Sequence, residues 1–319
     1  MTTAVLEAEE LTKAFGGGRS LLGAPKPVIH AVQDVSLTLN EGETFGVVGE
    51  SGCGKSTLAR MLVGLSTPTR GTIRIAGKPF DRHLLGATAQ YVFQDPVSSL
   101  NPRHTVRRIL EAPLIHLKRL GRDARAARIN YLMDAVGLRP DFLERYPHEF
   151  SGGQAQRIGI ARALAAEARI IVLDEPVSAL DVSVQAQILN LLADLKARFG
   201  LTYLFISHDL AVVEAVADRV AVMYFGRIVE EAPADRLFAH PHHPYTRLLL
   251  DSAPAITGKR IDAGEQPAEL PDPLAPPPGC AFAERCPHAR ADCRARRPPL
   301  APMGPYHSAA CLYPLNATD

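Results

Sequence analysis

Apolar positions along the chain fall into two textures. In "VSLTLN" (35–40) every second residue is apolar, the period of a strand with one buried face, and "ETFGVVG" (43–49) reads as a buried strand running straight into glycines. "GESGCGKST", Gly49 to Thr57, comes next, followed by Leu58, Met61, Leu62 and Leu65 at helical spacing. From about Pro102 to Ala168 the apolar residues keep a helical period among many arginines, and no segment reads as a strand. "RIIVLDEP" (169–176) is a strand ending in two carboxylates, and "SVQAQILNLLADLKARFG" (183–200) places Val184, Ile188, Leu191, Leu192 and Leu195 on one helix face. "TYLFISHD" (202–209) is a further buried strand, and "RVAVMYFGRIVE" (219–230) holds one or two more. Strands and helices alternating around a helical insertion predict an α/β core with parallel strands. Past about Asp251 the texture changes to "PDPLAPPPG" and cysteines, which predicts a small C-terminal appendage rather than more sheet.

Composition narrows the functional classes. The 319 residues, 46% of them hydrophobic, can bury a full core with an appendage beside it. A formal charge of +1 leaves no electrostatic footprint for nucleic acid. No run of eighteen apolar residues occurs, and "MTTAVLEAEE" is acidic where a secretory signal is basic and then apolar. The expectation is a cytosolic chain, with other chains supplying any membrane span.

The chemistry begins at "GESGCGKST", which fits G-x-x-x-x-G-K-[ST] between a predicted strand and a predicted helix. Gly49, Gly52 and Gly54 allow successive N–H groups, with those of Glu50, Ser51 and Cys53, to turn toward phosphate oxygens; Thr57 lies in the first turn of the helix whose N-terminus adds its positive end. Lys55 would reach the β and γ phosphates of ATP, and the Ser56 hydroxyl would ligate Mg²⁺. At the end of "RIIVLDEP", Asp174 would hold Mg²⁺ through water and Glu175 would polarise the attacking water.

"GESGCGKST", "YVFQDP", "FSGGQAQRIGIARAL", "IIVLDEP", "SALD" and "FISHD" occur in this order between the N-terminus and about residue 250, and the set resembles the nucleotide-binding subunit of an ATP-binding cassette (ABC) transporter. The resemblance implies a P-loop NTPase fold of the ABC type: a RecA-like core with an antiparallel β subdomain and an inserted helical subdomain at about 95–168, spanning 1–250, with the cysteine-containing appendage at 251–319. It further implies that Ser151, Gly152, Gly153 and Gln154 start a helix and cap the γ-phosphate bound to the phosphate loop of a second subunit. Ser151 offers a hydroxyl, and the two glycines let backbone N–H groups approach a phosphate with no Cβ in the way. Gln94 resembles the glutamine that touches Mg²⁺ or the water and reports nucleotide state to the membrane subunits. His208 resembles the switch histidine at the γ-phosphate, and Asp181 the aspartate at the dimer seam. Phe15 in "LTKAF" is the candidate for stacking on adenine, a core or surface phenylalanine being the other reading.

"FQDPVSSLNPRHTV" (93–106), "HPHHPYTRLLLDSAP" (240–254) and "LPDPLAPPPGCAFAERCP" (270–287) are similar to the oligopeptide and dipeptide importers of bacteria, and the wording around "FSGGQ" is nearer the second ATPase of their pair. That likeness implies a non-identical partner ATPase, two membrane-spanning permease subunits, an extracytoplasmic solute-binding protein and a peripheral place on the cytoplasmic face of the inner membrane. Relatives with the same tail import nickel complexes or glutathione, so another small solute is an alternative cargo. A DNA-handling ATPase of the same cassette type is a remote alternative, disfavoured by the charge.

Cys280, Cys286, Cys293 and Cys311 follow C-x5-C-x6-C-x17-C, and Cys53 lies in the phosphate loop. Reduced cytosolic thiols in so short a run point to a shared metal. The absence of C-x2-C knuckles favours a four-cysteine [4Fe–4S] cluster, as in some importer relatives, over Zn²⁺, and the metal is expected to be the segment's main source of order.

Overall fold

The computed structural model describes residues 3–17, 27–80, 87–252 and 270–316; most of the glycine-rich insert after Phe15 lies outside them. The chain divides into two compact units, Met1–Val5, Leu39–Thr44 and Pro79–Ile206 on the one hand and Leu6–Thr38, Phe45–Lys78 and Ser207–Asp319 on the other.

In the first unit, β6 (Ala89–Val92), β7 (Ile170–Asp174) and β8 (Thr202–Ser207) form parallel ladders, Ala89 opposite Ile170 and Ile170 opposite Thr202. Every residue of β7 and β8 is buried, as strands covered on both faces must be. The helical insertion comprises α2 (Val106–His116), α3 (Arg122–Ala135) and α4 (Gly152–Ala165). Thr105 caps α2 by accepting the Arg108 N–H, and α2 and α3 turn Ile109, Leu110, Leu114, Ile129, Leu132 and Met133 into the packing between the helices. α4 is buried almost all round, which its small residues Ala155, Gly159, Ala161 and Ala163 permit. α5 (Val182–Phe199) buries Ile188, Leu192 and Leu195, with Val184 and Leu191 half-buried, and Gly200 stops it at φ 62°.

In the second unit, β1 (Ala4–Gly16), β2 (Val28–Asn40), β4 (Arg70–Ile75) and β5 (Lys78–Pro79) form a sheet in the order β2-β1-β4-β5. The alternation read in "VSLTLN" is present: Val35, Leu37 and Leu39 are buried and Ser36 is exposed. A second sheet runs β11-β12-β10-β9-β3, with β3 (Thr44–Val48) parallel to β9 (Arg219–Tyr224), and β9 antiparallel to β10 (Arg227–Pro233). α1 (Lys55–Leu62) buries Leu58, Met61 and Leu62, but it ends before Leu65, which is 58% exposed; Gly64 at φ 70° turns the chain away first. The remaining short helices are α6 (Leu210–Val216), α7 (Ala234–Ala239), α8 (Pro244–Ser252) and α9 (Ala291–Ala295). Among the described residues, no helix is long and apolar enough to cross a membrane.

Two expectations for the tail are corrected. It does contribute sheet: β12 (His307–Ala309) pairs antiparallel with β10, Glu230 opposite Ala309, and β11 (Ala301–Gly304) pairs with β12. Nor does its order rest on a metal alone, because Phe282, Ala283, Ala309 and Ala310 are buried and Phe282 packs against the cassette's Tyr224. The Phe282 ring packs on Tyr224 and Tyr245 with centroids 5.4 and 5.3 Å away. Fully buried Glu230 accepts the His242 and His243 N–H groups at 2.6 and 2.9 Å and bonds His307 Nε2 at 2.7 Å, tying β10 to β12 and to the approach to α8. Burial alone would raise its carboxyl, but bonds from His307 and the two backbone groups hold it below the ordinary glutamate value.

His243 makes this docking pH-sensitive. Burial pushes its imidazole down to about 4, and its Nδ1 accepts the Tyr245 N–H at 3.0 Å, which requires that nitrogen unprotonated. The unfolded chain takes up this proton near the ordinary value of 6.5, so between that value and about 4 it binds more protons than the folded chain does. Stability should therefore fall across that window as pH drops, by an amount on the order of 3 kcal/mol. Thermal midpoints measured across that range should decline less steeply for His243→Asn, whose side-chain oxygen can take the same N–H without titrating. Parallel profiles for variant and wild type would contradict this role.

Candidate nucleotide site

The phosphate loop is a tight turn between β3 and α1. Gly49, Gly52 and Gly54 have φ of 148°, 80° and 108°, backbone conformations that side chains other than glycine rarely adopt. Space forbids a Cβ as well: at Gly49 it would lie 2.1 Å from the Met223 carbonyl oxygen, and at Gly54 2.2 Å from that of Ala31. Gly54 is the N-cap of α1 and no side chain caps the helix, so its first N–H groups face the loop as an anion site does. Lys55 is buried, and its Nζ donates to the carbonyls of Gly49 at 2.6 Å and Glu50 at 2.9 Å. Cys53 is buried 3.8 Å from that ammonium, and burial raises its thiol above the ordinary value, so it fills space as a neutral group. Ser51 is exposed; Ser56 and Thr57 are half-buried in the first turn of α1.

In the same unit, His208 is exposed just before Asp209, which caps α6 by accepting the Ala211 and Val212 N–H groups. Phe15, next to last in β1, is 46% exposed with Lys13 Nζ 5.1 Å from its ring centroid, so it is not a core phenylalanine.

The other unit brings Asp174, Glu175 and Gln94 together. Asp174, at the carboxyl end of β7, is 3% exposed and accepts the Tyr91 hydroxyl proton at 2.5 Å. Glu175 follows with φ 48°, a left-handed conformation uncommon for glutamate, which its N–H bond to the Ile206 carbonyl at 2.9 Å helps to hold. Its carboxylate accepts the Gln94 side-chain N–H at 2.8 Å. The two residues read as water-directing and state-reporting thus share a hydrogen bond.

Ser151 is the N-cap of α4. Its hydroxyl accepts the Gln154 N–H at 3.4 Å while the Gln154 side chain accepts the Ser151 N–H at 3.1 Å, a reciprocal capping box. Ser151 and Gly152 are exposed. Gly153 has an internal reason to be glycine that the motif does not reveal: a Cβ there would lie 2.5 Å from Val184 on α5. Asp181 is the N-cap of α5 by backbone only; its exposed carboxylate does not cap the helix.

Cys280, Cys286, Cys293 and Cys311 all line one small pocket of about 20 Å³, together with His288. Four thiols on one pocket suit a four-thiolate group. Among the described residues, however, no three His, Cys, Asp or Glu side chains converge as metal ligands. Burial raises the Cys280 and Cys286 thiols and pushes Cys311 up to about 11, so without a cation they are neutral.

Three further side chains at these positions escaped the sequence reading: Tyr91 on Asp174, and Tyr245 and Arg285 on Glu50. The Tyr245 hydroxyl accepts the Glu50 N–H at 2.9 Å, and Arg285 binds the Glu50 carboxylate through two N–H···O bonds of 2.7 Å each. Pairing with Glu50 raises the Arg285 guanidinium beyond its already high ordinary value. All three stand inside quoted stretches, Tyr91 in "YVFQDP", Tyr245 in "HPHHPYTRLLLDSAP" and Arg285 in "LPDPLAPPPGCAFAERCP", but nothing local ties Tyr245 or Arg285 to Glu50.

Known proteins are similar to this chain in sequence and in fold. A family described as "ABC transporter" matches residues 32–178, and one described as "Oligopeptide/dipeptide transporter, C-terminal region" matches residues 229–293. A probable peptide ABC transporter ATP-binding protein of Sinorhizobium fredii is 50% identical over 98% of this chain and 90% of its own. A di/tripeptide transport ATP-binding protein of Pseudomonas aeruginosa is 48% identical over 93% of this chain and 94% of its own. Among solved structures, the fold is similar to that of cbiO1 from Clostridium perfringens, part of an ABC transporter complex, with a TM-score of 0.64 and 27% identity over 75% of this chain and 92% of the other. It is also similar to the ATP-binding cassette MJ0796, solved as a dimer in a post-hydrolysis state with ADP and phosphate, with a TM-score of 0.63 and 30% identity over 72% of this chain and 98% of the other. The chain therefore belongs to the ATP-binding proteins of ABC transporters, in the branch that carries the oligopeptide/dipeptide C-terminal region, and it is an ATPase of that family.

Proposed function

We propose that this ATPase powers the import of di- and oligopeptides through a membrane ABC complex. The observation that carries the reading is the extent of the likeness: relatives named for peptide transport match nearly the whole chain, tail included. Residues 49–57 bind the triphosphate of ATP, with Lys55 moving from the Gly49 and Glu50 carbonyls to the phosphates. Ser56, Asp174 and Gln94 would hold Mg²⁺, which would supply positive charge against the transferring phosphoryl group. Glu175 orients and polarises the attacking water, His208 contacts the γ-phosphate, and exposed Phe15 stacks on adenine.

Ser151, Gly152, Gly153 and Gln154 act on the nucleotide of a facing subunit, with Asp181 at the seam between them. Support comes from the exposure of Ser151, Gly152 and Asp181 and from the paired state of the related cassette. The partner is a second, non-identical ATPase. Both dock on two membrane-spanning permeases served by an extracytoplasmic solute-binding protein, which places this chain peripherally on the cytoplasmic face of the inner membrane. In the tail, Cys280, Cys286, Cys293 and Cys311 hold a [4Fe–4S] cluster, with Zn²⁺ the alternative, because four thiols share one pocket and their spacing lacks the knuckles of a zinc ribbon. The cluster's contribution is structural, since the ATPase reaction moves no electrons.

In the complex assembled with its partner subunits, Glu175→Gln should retain ATP binding while turnover falls by about a hundredfold or more. ATPase assays beside equilibrium binding of a fluorescent ATP analogue check this; hydrolysis near the wild-type rate would remove Glu175 from its role. The isolated chain should hydrolyse poorly, with activity rising as partners are added.

Anaerobic purification should give a brown protein with about four irons per chain by elemental analysis. Colourless protein with about one zinc per chain would replace the cluster by Zn²⁺ at the same cysteines.

A further inference from the structure

Glu50 places a carboxylate on the loop that has to receive a polyanion. Electrostatically that is the wrong sign, and left alone the carboxylate would repel the phosphates. Its charge is met by Arg285, thirty-odd residues from the end of the chain, whose side chain is 7% exposed against 29% for Glu50. The guanidinium and carboxylate meet fork to fork, Nη1 to Oε2 and Nη2 to Oε1, both at 2.7 Å. Arg285 is itself held over the rings of Tyr224 and Phe282, 5.8 Å from each centroid. Tyr224 and Phe282 pack with Tyr245, whose hydroxyl takes the Glu50 N–H, while the Glu50 carbonyl accepts from Lys55. Glu50 is thus gripped at its side chain, its N–H and its C=O. Two of those three grips come from residues well outside the glycine motif.

We propose that Arg285 is a positioning residue of the phosphate loop: by cancelling the Glu50 charge and, with Tyr245, fixing the loop at residue 50, it makes affinity for ATP depend on a side chain of the C-terminal region. This rests on the reading of residues 49–57 as the phosphate loop. The Lys55 grip is the one that must release when its ammonium turns to the phosphates. The Arg285 grip involves no group that phosphate needs, and the Glu50 N–H, expected from the sequence to turn toward phosphate, is instead spent on the Tyr245 hydroxyl, so both grips can keep the loop in shape through that exchange. Lysine at position 285 would keep the charge but lose the two-pronged geometry.

The test compares Arg285→Ala, Arg285→Lys, Glu50→Gln and the double variants Arg285→Ala/Glu50→Gln and Arg285→Lys/Glu50→Gln. A fluorescent ATP analogue with Mg²⁺ reads affinity on the full chain; KM and kcat are read in the assembled transporter. Arg285→Ala should raise the Kd and the KM for ATP about tenfold and leave kcat within about twofold, and Arg285→Lys should lie between it and wild type. Removing the Glu50 charge as well should recover part of that loss but not all of it, because the repulsion is gone while the two-pronged grip stays absent. A merely structural arginine would show no such rescue. Wild-type affinity in Arg285→Ala, or a double variant as weak as the single, overturns the proposal. Removing one member of a buried pair can unfold a protein. Should Arg285→Ala fail to fold, Arg285→Lys decides: weakened binding relieved by Glu50→Gln supports the proposal, and unchanged binding overturns it. Lys55→Ala separates the two levels. Normal ATP affinity in that variant overturns the phosphate-loop reading and this proposal with it, whereas a normal Lys55→Ala defect beside an inert Arg285→Ala overturns this proposal alone.

Discussion

A loop that binds phosphate through its own backbone can spend few of its N–H groups on itself; here that of Cys53 meets the Glu50 carbonyl at 3.3 Å and that of Glu50 goes to Tyr245. Its conformation has to be imposed by neighbours. Here the neighbours are close: backbone carbonyls of Met223 and Ala31 come so near Gly49 and Gly54 that no side chain fits between. The parallel register of β3 with β9, Val48 opposite Val222, sets the first of these approaches. β9 in turn is fixed by its antiparallel partner β10, and β10 by buried Glu230 and by β12. Anything that loosens that sheet reaches the phosphate loop within a few hydrogen bonds.

The C-terminal region is part of this support. Its Phe282 joins Tyr224 and Tyr245 in an aromatic cluster against the loop, and Arg285 projects from that cluster onto Glu50. His243, His242 and His307 gather at the Glu230 carboxylate, a buried polar centre with both oxygens bonded. Such a centre fixes one register and tolerates little substitution, so the tail docks in a single arrangement. A region whose composition reads as an add-on is structurally continuous with the cassette's antiparallel strands.

How much of this was legible follows from the range of the interactions involved. "GESGCGKST", "IIVLDEP" and "FSGGQ" were readable because each packs its chemistry and its backbone requirement into a few adjacent residues. The reciprocal Ser151–Gln154 cap and the left-handed Gly49, Gly52 and Gly54 are local consequences of local sequence. β11 and β12 were not readable. "APMG" contains proline and glycine, which argue against a strand, and "HSA" is three residues long; β12 pairs with the edge that β10 offers, and β11 pairs in turn with β12. Leu65 was misplaced for a local reason, since the helical spacing continues past the glycine that ends the helix. Gly153 was read for phosphate approach alone, because the nearness of Val184 is invisible in the motif. Tyr245 and Arg285 reach Glu50 across 195 and 235 residues, and no spacing rule connects them.

The account turns on a loop shaped from outside that trades one of its grips for the nucleotide. A structure of the assembled transporter carrying Glu175→Gln, with ATP and Mg²⁺ bound, tests it most directly. Lys55 Nζ should be found off the Gly49 and Glu50 carbonyls and on the phosphates, with Arg285 still bidentate on Glu50 and Tyr245 still on its N–H. ATP bound to residues 49–57 with the Arg285–Glu50 pair broken would contradict it.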